Sequence, residues 1–252
     1  MAASRIVSLS PSVTDTLVAI GAGDELVGVS VFCRPYAPPH AEVVGDYLNV
    51  KMDRLEDLHP DLVFTSGSAQ ERLAERLRAR GYRVVHVPIP ASLHGIPEMV
   101  WRIGVTVGRR SEALEEAEIL AEKLVELRGL APPARILYVI DLAEPIAPGA
   151  LSYAGHALNH LGVRHVYEDV PRDWIRVTPG DARRYSPQVI VYEGKVENPT
   201  LQHALGALRR WLILDERLEK RARLVVVPRD TLAHYGPRIV ERLRMLAERL
   251  TG

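Results

Sequence analysis

The sequence predicts an α/β protein. It reads as two Rossmann-like lobes with parallel sheets, joined by a long helical backbone, with a ligand cleft between the lobes. Three observations carry this. Short, nearly continuous apolar runs alternate with helical patterns, as happens when helices cover both faces of a parallel sheet. The stretch from Ser92 to Arg128 has no strand pattern. The flanking blocks echo each other. Asp57-Leu-His-Pro-Asp-Leu-Val-Phe64 reads like Tyr185-Ser-Pro-Gln-Val-Ile-Val-Tyr192, and Gly81–Pro88 reads like Ala222–Pro228. In each half a short helix ends at a proline and feeds a buried strand. The boundaries follow: 1–91 first lobe, 92–133 helical backbone, 134–252 second lobe.

The elements can be justified in order. Strands are expected at Ile6–Ser10, Leu26–Val31, Leu62–Thr65, Val84–Val87, Ile136–Ile140, Val189–Tyr192 and Leu224–Val227. Ser12–Gly21 is a helix with Val13, Leu17 and Ile20 on one face. Ser10 or Ser12 is the expected source of its capping oxygen. Gly21-Ala-Gly23 ends that helix and precedes a strand. It is therefore a C-cap turn rather than a dinucleotide fingerprint, which must follow a strand and open a helix. Ala69–Arg80 is a second helix ending at Gly81. Two backbone helices meet near Gly108-Arg-Arg-Ser111, with Ser111 as N-cap, and the Gly129-Leu-Ala-Pro-Pro133 break ends the pair.

Composition excludes several classes. The 252 residues carry 32 basic and 32 acidic side chains. That balance argues against a general nucleic-acid binder, which needs a basic surplus, and against a polybasic membrane anchor. A single cysteine, Cys33, rules out an internal disulfide framework. No run reaches the roughly 18–20 apolar residues of a membrane span. Met1-Ala-Ala-Ser-Arg5 lacks the pattern of a secretory signal, so a cytoplasmic location is expected if this start is native.

Chemistry-bearing motifs are sparse. No G-x-S-x-G elbow occurs. His156 and His160 share a helix face with His165 following, and no companion glutamate makes an HExxH site. Phe32, Tyr36, Tyr47, Tyr153, Trp174 and Tyr235 fall in expected loops, where aromatic rings often form binding surface. Trp174 is expected in a loop ahead of a helix. His234 sits in the loop after the last strand, at the end where α/β sheets line ligand clefts.

The blocks Arg5-Ile-Val-Ser-Leu-Ser-Pro-Ser12, Thr14–Gly28, Cys33-Arg-Pro-Tyr-Ala-Pro-Pro39, Val44-Gly-Asp46 and Asp53–Val63 together resemble the class III substrate-binding proteins of ABC importers for vitamin B12, iron-siderophores and haem. Asn159-His-Leu-Gly162, Trp174, Ser186–Val191 and Pro237-Arg238 are similar to that family's second lobe. The loop Asp230-Thr-Leu-Ala-His-Tyr-Gly236 departs from the Asp-Trp loop of vitamin B12 binders, and Thr65-Ser-Gly-Ser68 is short and lacks a tryptophan. The resemblance implies a monomeric, extracytoplasmic receptor with no cofactor of its own and no catalysis. It would bind a corrinoid or related metal chelate through Phe32, Tyr47, Tyr153, Trp174 and Tyr235, with Asp230 and His234 on the ligand's polar rim. It would dock to an ABC permease through one acidic residue per lobe, Glu71 and Glu197, the latter preferred over Glu193. The alternatives are a cytosolic corrinoid-binding protein, a chelatase-like tetrapyrrole enzyme using His156, His234 and Glu193, and a receptor for a bare metal ion.

Overall fold

The structure is a computed structural model that describes residues 4–194 and 196–252, the side chain of Arg217 excepted. The first three residues of the N-terminal reading lie outside this set. The chain forms two compact units. The first takes the residues to Pro90, then His94–Glu122 and Tyr235–Arg238; the second takes Ala91–Leu93, Lys123–His234 and Ile239–Gly252. The first backbone helix and most of the second thus belong to the first unit.

The first unit runs β1 (Ile6–Ser8), α1 (Pro11–Ala19), β2 (Leu26–Ser30), β3 (Glu42–Gly45), α2 (Met52–Asp57), β4 (Leu62–Ser66), α3 (Glu71–Ala79), β5 (Val84–Val87), α4 (Gly95–Val107) and most of α5 (Arg110–Glu126). Its five strands are all parallel, in the order β3-β2-β1-β4-β5. Val7, Val44 and Val63 from the sheet and Leu9 just after β1 pack with Leu55, Leu58, Leu73 and Leu77 from α2, α3 and the loop between α2 and β4. Gly28 on β2 has a packing reason, since a Cβ there would lie 2.6 Å from Leu58 Cδ1. α4 and α5 approach closely because Gly104 has no side chain; a Cβ would overlap that of Ala113. Gly108, at φ 84°, ends α4 in the left-handed conformation that glycine favours. α5 then starts at Arg110, so Ser111 lies inside its first turn instead of capping it. Arg109 precedes that turn and pairs with Glu25 at 2.6 Å.

The second unit continues with β6 (Arg135–Asp141), β7 (Pro145–Pro148), α6 (Tyr153–Leu161), β8 (Arg164–His165), β9 (Trp174–Arg176), α7 (Asp181–Tyr185), β10 (Val189–Glu193), α8 (Leu201–Arg210), α9 (Glu216–Glu219), β11 (Arg223–Val227) and α10 (Ile239–Thr251). Its sheet is ordered β11-β10-β6-β7-β9, with β8 also on β6. β8, β6, β10 and β11 are parallel, whereas β7 is antiparallel to β6 and to β9. The strands expected from the sequence in this half, β6, β10 and β11, are parallel, and β7 and β9 are antiparallel additions at one edge. After β6 the chain folds straight back as β7, and a short return needs no crossover helix. Trp174 is corrected: it opens the edge strand β9 opposite Pro148 and precedes no helix directly.

Candidate functional site

In doubly wound sheets, ligands gather outside the carboxyl ends of strands, at the point where strand order reverses. In the first unit that point lies between β1 and β4, and it is filled by the chain's own Tyr235. Its amide donates to Ser12 Oγ at 3.0 Å, and its hydroxyl lies 2.7 Å from Ser66 Oγ. Ser66 Oγ spends its only proton on the Val87 carbonyl at 2.6 Å, so Tyr235 donates to Ser66. Ser10 also bonds the Tyr235 hydroxyl, which burial holds above its ordinary pKa. Three residues on, Arg238 clasps the buried Asp15 of α1 through its amide at 3.1 Å and its Nε at 3.0 Å. Ser10 does occupy the N-cap position of α1 but makes no side-chain cap bond. The serine-rich opening of the chain is therefore a socket for residues 235–238.

Around this plug the loops are held rigidly. Gln70 is fully buried and serves three backbone groups. Its Oε1 accepts from Ser66 N at 2.7 Å, and its Nε2 donates to the Tyr47 carbonyl at 2.6 Å and the Leu9 carbonyl at 3.1 Å. Asp46 folds the next turn by accepting from Leu48 N and Asn49 N, both at 2.7 Å. The Tyr47 hydroxyl donates to the Ser66 carbonyl at 3.0 Å, and the ring stays half-buried. These braces present Val31, Phe32 and Leu48 to solvent after β2 and β3, each between 46% and 48% exposed. Large apolar side chains fixed on polar-braced loops form a surface ready to cover an apolar ligand.

In the second unit strand order reverses between β6 and β10, where two buried carboxylates stand on adjacent strands. Glu193 Oε2 accepts from Tyr138 Oη at 2.7 Å and from Leu232 N at 2.8 Å, and Oε1 accepts from Ala233 N at 3.1 Å. Asp141 accepts from Tyr192 Oη at 2.8 Å and from Trp211 Nε1 at 3.3 Å. The register places one tyrosine–carboxylate pair on each face of the sheet. Burial pushes the Glu193 carboxyl up to about 7, and Asp230 adds to the effect, against the pull of its three hydrogen bonds. Leu142 after β6 and Val196 after β10 are exposed apolar residues of this edge.

The expected ligand contacts divide. Phe32 is exposed, while Tyr47, Trp174 and Asp230 are half-buried. Asp230 adopts φ 65° and pairs with Arg229 at 3.4 Å. Trp174 meets the Tyr153 ring edge-on, with centroids 6.1 Å apart. Tyr153, His234 and Tyr235 are buried, at 1%, 1% and 6% exposure. Tyr153 donates its hydroxyl to the Leu232 carbonyl, and Tyr235 is the plug described above, so both rings serve the fold. Glu71 opens α3 and is exposed; Glu197 is exposed in the loop before α8. Glu193 is enclosed, which is incompatible with surface docking. Of the enzyme set, His156 is exposed on α6 while His234 and Glu193 are buried, and among the described residues no three His, Cys, Asp or Glu side chains gather as a metal ion requires.

Residues 6–211 match the model of the family described as periplasmic binding protein. The chain belongs to the periplasmic binding protein family. A vitamin B12-binding protein of Photorhabdus laumondii is 23% identical over 98% of this chain and 87% of its own length. Among solved structures, a possible iron-binding periplasmic solute-binding protein of Staphylococcus epidermidis superposes with TM-score 0.81 at 20% identity, covering all of both chains. A periplasmic haem-binding protein of Roseiflexus superposes with TM-score 0.80 at 19% identity, covering 98% of each. At such identities the structural likeness establishes the fold alone. The names of these three similar proteins cite three different ligands: vitamin B12, iron and haem.

Proposed function

We propose that this periplasmic binding protein is an extracytoplasmic receptor that captures a corrinoid or related metal chelate and delivers it to an ABC permease. The observation that carries the reading is the alignment, along nearly the whole chain, with a protein named for binding vitamin B12. The exposed apolar residues on braced loops support it: Val31, Phe32 and Leu48 in one unit, Leu142 and Val196 in the other. A corrin-like ring has wide apolar faces, which such residues cover at small entropic cost. Phe32, Tyr47 and Trp174 would supply aromatic contact, and Asp230 would bond the polar rim. Glu71 and Glu197, one exposed carboxylate on each unit, would meet cationic residues of the permease. A second relative, from Bacillus subtilis and named as an uncharacterized ABC transporter substrate-binding lipoprotein, is 25% identical over 97% of this chain and 79% of its own length and favours the same partner.

Isothermal titration with cyanocobalamin, haemin and a ferric hydroxamate siderophore tests the reading. Cyanocobalamin is expected to bind at micromolar strength or better, roughly 8 kcal/mol. Silence with the corrinoid beside clear binding of another chelate replaces the ligand. Silence with all three overturns the receptor assignment.

A further inference from the structure

We propose that the cavity at the amino end of the second sheet is a further binding site, one for a free amino acid with an aliphatic side chain, taken as its zwitterion.

The cavity measures about 440 Å³ and lies wholly within the second unit. It sits where β6 starts at Arg135, β8 starts at Arg164 and Gln188 leads into β10. That edge is opposite the carboxyl ends that carry Leu142 and Val196. Val166, Val170 and Tyr185 supply apolar wall.

Four charged side chains line the cavity, Arg135, Arg164, Glu168 and Asp169, and their charges sum to zero. Arg135 and Arg164 are register partners on adjacent strands. Like charges placed directly opposite each other are destabilising and call for a counter-charge. Glu168 meets one of them: its Oε1 accepts from Arg164 Nε at 2.8 Å and also from Nη2. Among the described residues Arg135 has no ion pair, and its guanidinium lies 5.7 Å from the centroid of the Tyr185 ring. Asp169 has no ion pair among them either.

Gln188 is locked beside Arg135. Its Oε1 accepts from the Arg135 amide at 2.8 Å, and its own amide donates to the Arg135 carbonyl at 2.8 Å. With Oε1 spent, Nε2 remains as a donor. His165 also lines the cavity, is 2% exposed, and has no partner for either ring nitrogen among the described residues. Buried polar groups are ordinarily satisfied, so an unsatisfied one in a cavity wall points to a molecule from outside.

The unspent groups are of both signs. The Arg135 guanidinium and the Gln188 amide suit a carboxylate, and Asp169 suits an ammonium. A plain anion would meet the two acidic residues, and a plain cation the two arginines. A molecule that bears both charges avoids either repulsion. The apolar wall then favours an aliphatic body.

Isothermal titration of the full chain tests this with leucine, with isocaproate, which is leucine without its amine, and with isoamylamine, which is leucine without its carboxylate. Leucine is expected to bind with a Kd below about 1 mM, and each analogue about tenfold more weakly or worse. Arg135→Met and Asp169→Asn should each weaken leucine about tenfold, the loss of one charged contact. Amide resonances of Val166, Val170 and Gln188 should shift with leucine, while those of Phe32 and Leu48 stay in place. No leucine binding up to about 10 mM overturns the proposal. Isocaproate or isoamylamine binding as tightly as leucine overturns the zwitterion assignment. Undiminished affinity in both variants, or shifts confined to Phe32 and Leu48, overturns the location. None of these readouts uses a chelate, so this site and the receptor reading fail separately.

Discussion

Tyr235→Phe separates a structural plug from a ligand contact. The substitution keeps the ring and its packing and removes one hydroxyl. That hydroxyl donates to Ser66 Oγ at 2.7 Å and receives a bond from Ser10. Ser66 retains its own bond to the Val87 carbonyl, so its proton stays satisfied. The Ser10 proton loses its acceptor in a region closed to water, since Ser10 is 1% exposed. One stranded buried donor costs about 1–3 kcal/mol. For a protein of this size that lowers the melting temperature by roughly 2–12 °C, at about 2–4 °C per kcal/mol. Tyr47→Phe is the internal comparison. It removes a single bond to the Ser66 carbonyl from a half-buried ring and should cost only about 0.5–1.5 kcal/mol. Thermal unfolding followed by circular dichroism and cyanocobalamin titration would be run on both variants. Tyr235→Phe should melt earlier and bind as the wild type does. A variant that melts normally and loses fivefold or more in affinity would mean that the hydroxyl faces the ligand, and the plug would be refuted.

Trp174→Ala removes the largest half-buried aromatic surface of β9 and should weaken chelate binding by about 2 kcal/mol, the loss expected of an aromatic anchor. Unchanged affinity with a lower melting temperature would assign Trp174 to the packing of Tyr153 instead. Reversing Glu71 and Glu197 to arginine should leave chelate affinity intact and impair docking to a reconstituted cognate permease, most clearly at low salt. Undiminished docking removes both residues from that role. The pH dependence of stability should reflect two opposed groups. Burial lowers the His165 pKa to about 4, so the unfolded chain binds its proton first, and stability falls as pH drops from about 6.5 to about 4. Glu193, raised to about 7, binds its proton first in the folded state, and its contribution grows as pH drops from about 7 to about 4.5. Each is worth roughly 3 kcal/mol at about 1.4 kcal/mol per pH unit, so they nearly cancel. Urea unfolding of Glu193→Gln should uncover the acid loss; an equally flat profile would remove His165 as its source.

The seven apolar runs read from the sequence all became strands, because a strand buried on both faces advertises itself by composition. β3, β7, β8 and β9 escaped. Pro145 and Pro148 bound β7, and proline argues against a strand except at an edge. β7 pairs with β9, whose residues lie far along the chain, so no local pattern announces either. The helix at 71–79 was legible from Leu73 and Leu77, and the turn at Gly108 from its glycine. Site residues were less legible. Phe32 and Tyr47 stood out as loop aromatics, but Val31, Leu48, Leu142 and Val196 are single aliphatic residues with no periodicity to mark them. Burial of Tyr153, His234 and Tyr235 depends on partners distant in sequence, such as Ser12 and Ser66 for Tyr235. Gln70 did carry a signal: amides are scarce in this chain, and a rare amide beside a strand end is a sound candidate for bracing backbone groups.

The two sheets solve one problem in different ways, and the difference bears on function. Each has a strand-order reversal at its carboxyl edge, the position where an α/β sheet would ordinarily take a phosphate or nucleotide. In the first unit that position is occupied by a phenol among serine hydroxyls, all neutral groups. In the second it is occupied by two buried carboxyl groups, Asp141 beside the Arg210 guanidinium and Glu193 among neutral donors. What the edges do present is apolar side chains on loops, those around Phe32 and Leu48 braced by Gln70, Asp46 and Tyr47. Loops braced in this way lose little entropy when a ligand arrives. On the proposed reading, they would cover the apolar faces of a chelate that is held reversibly. The serine-rich opening of the chain is then explained as the socket for residues 235–238, which close the first edge from within.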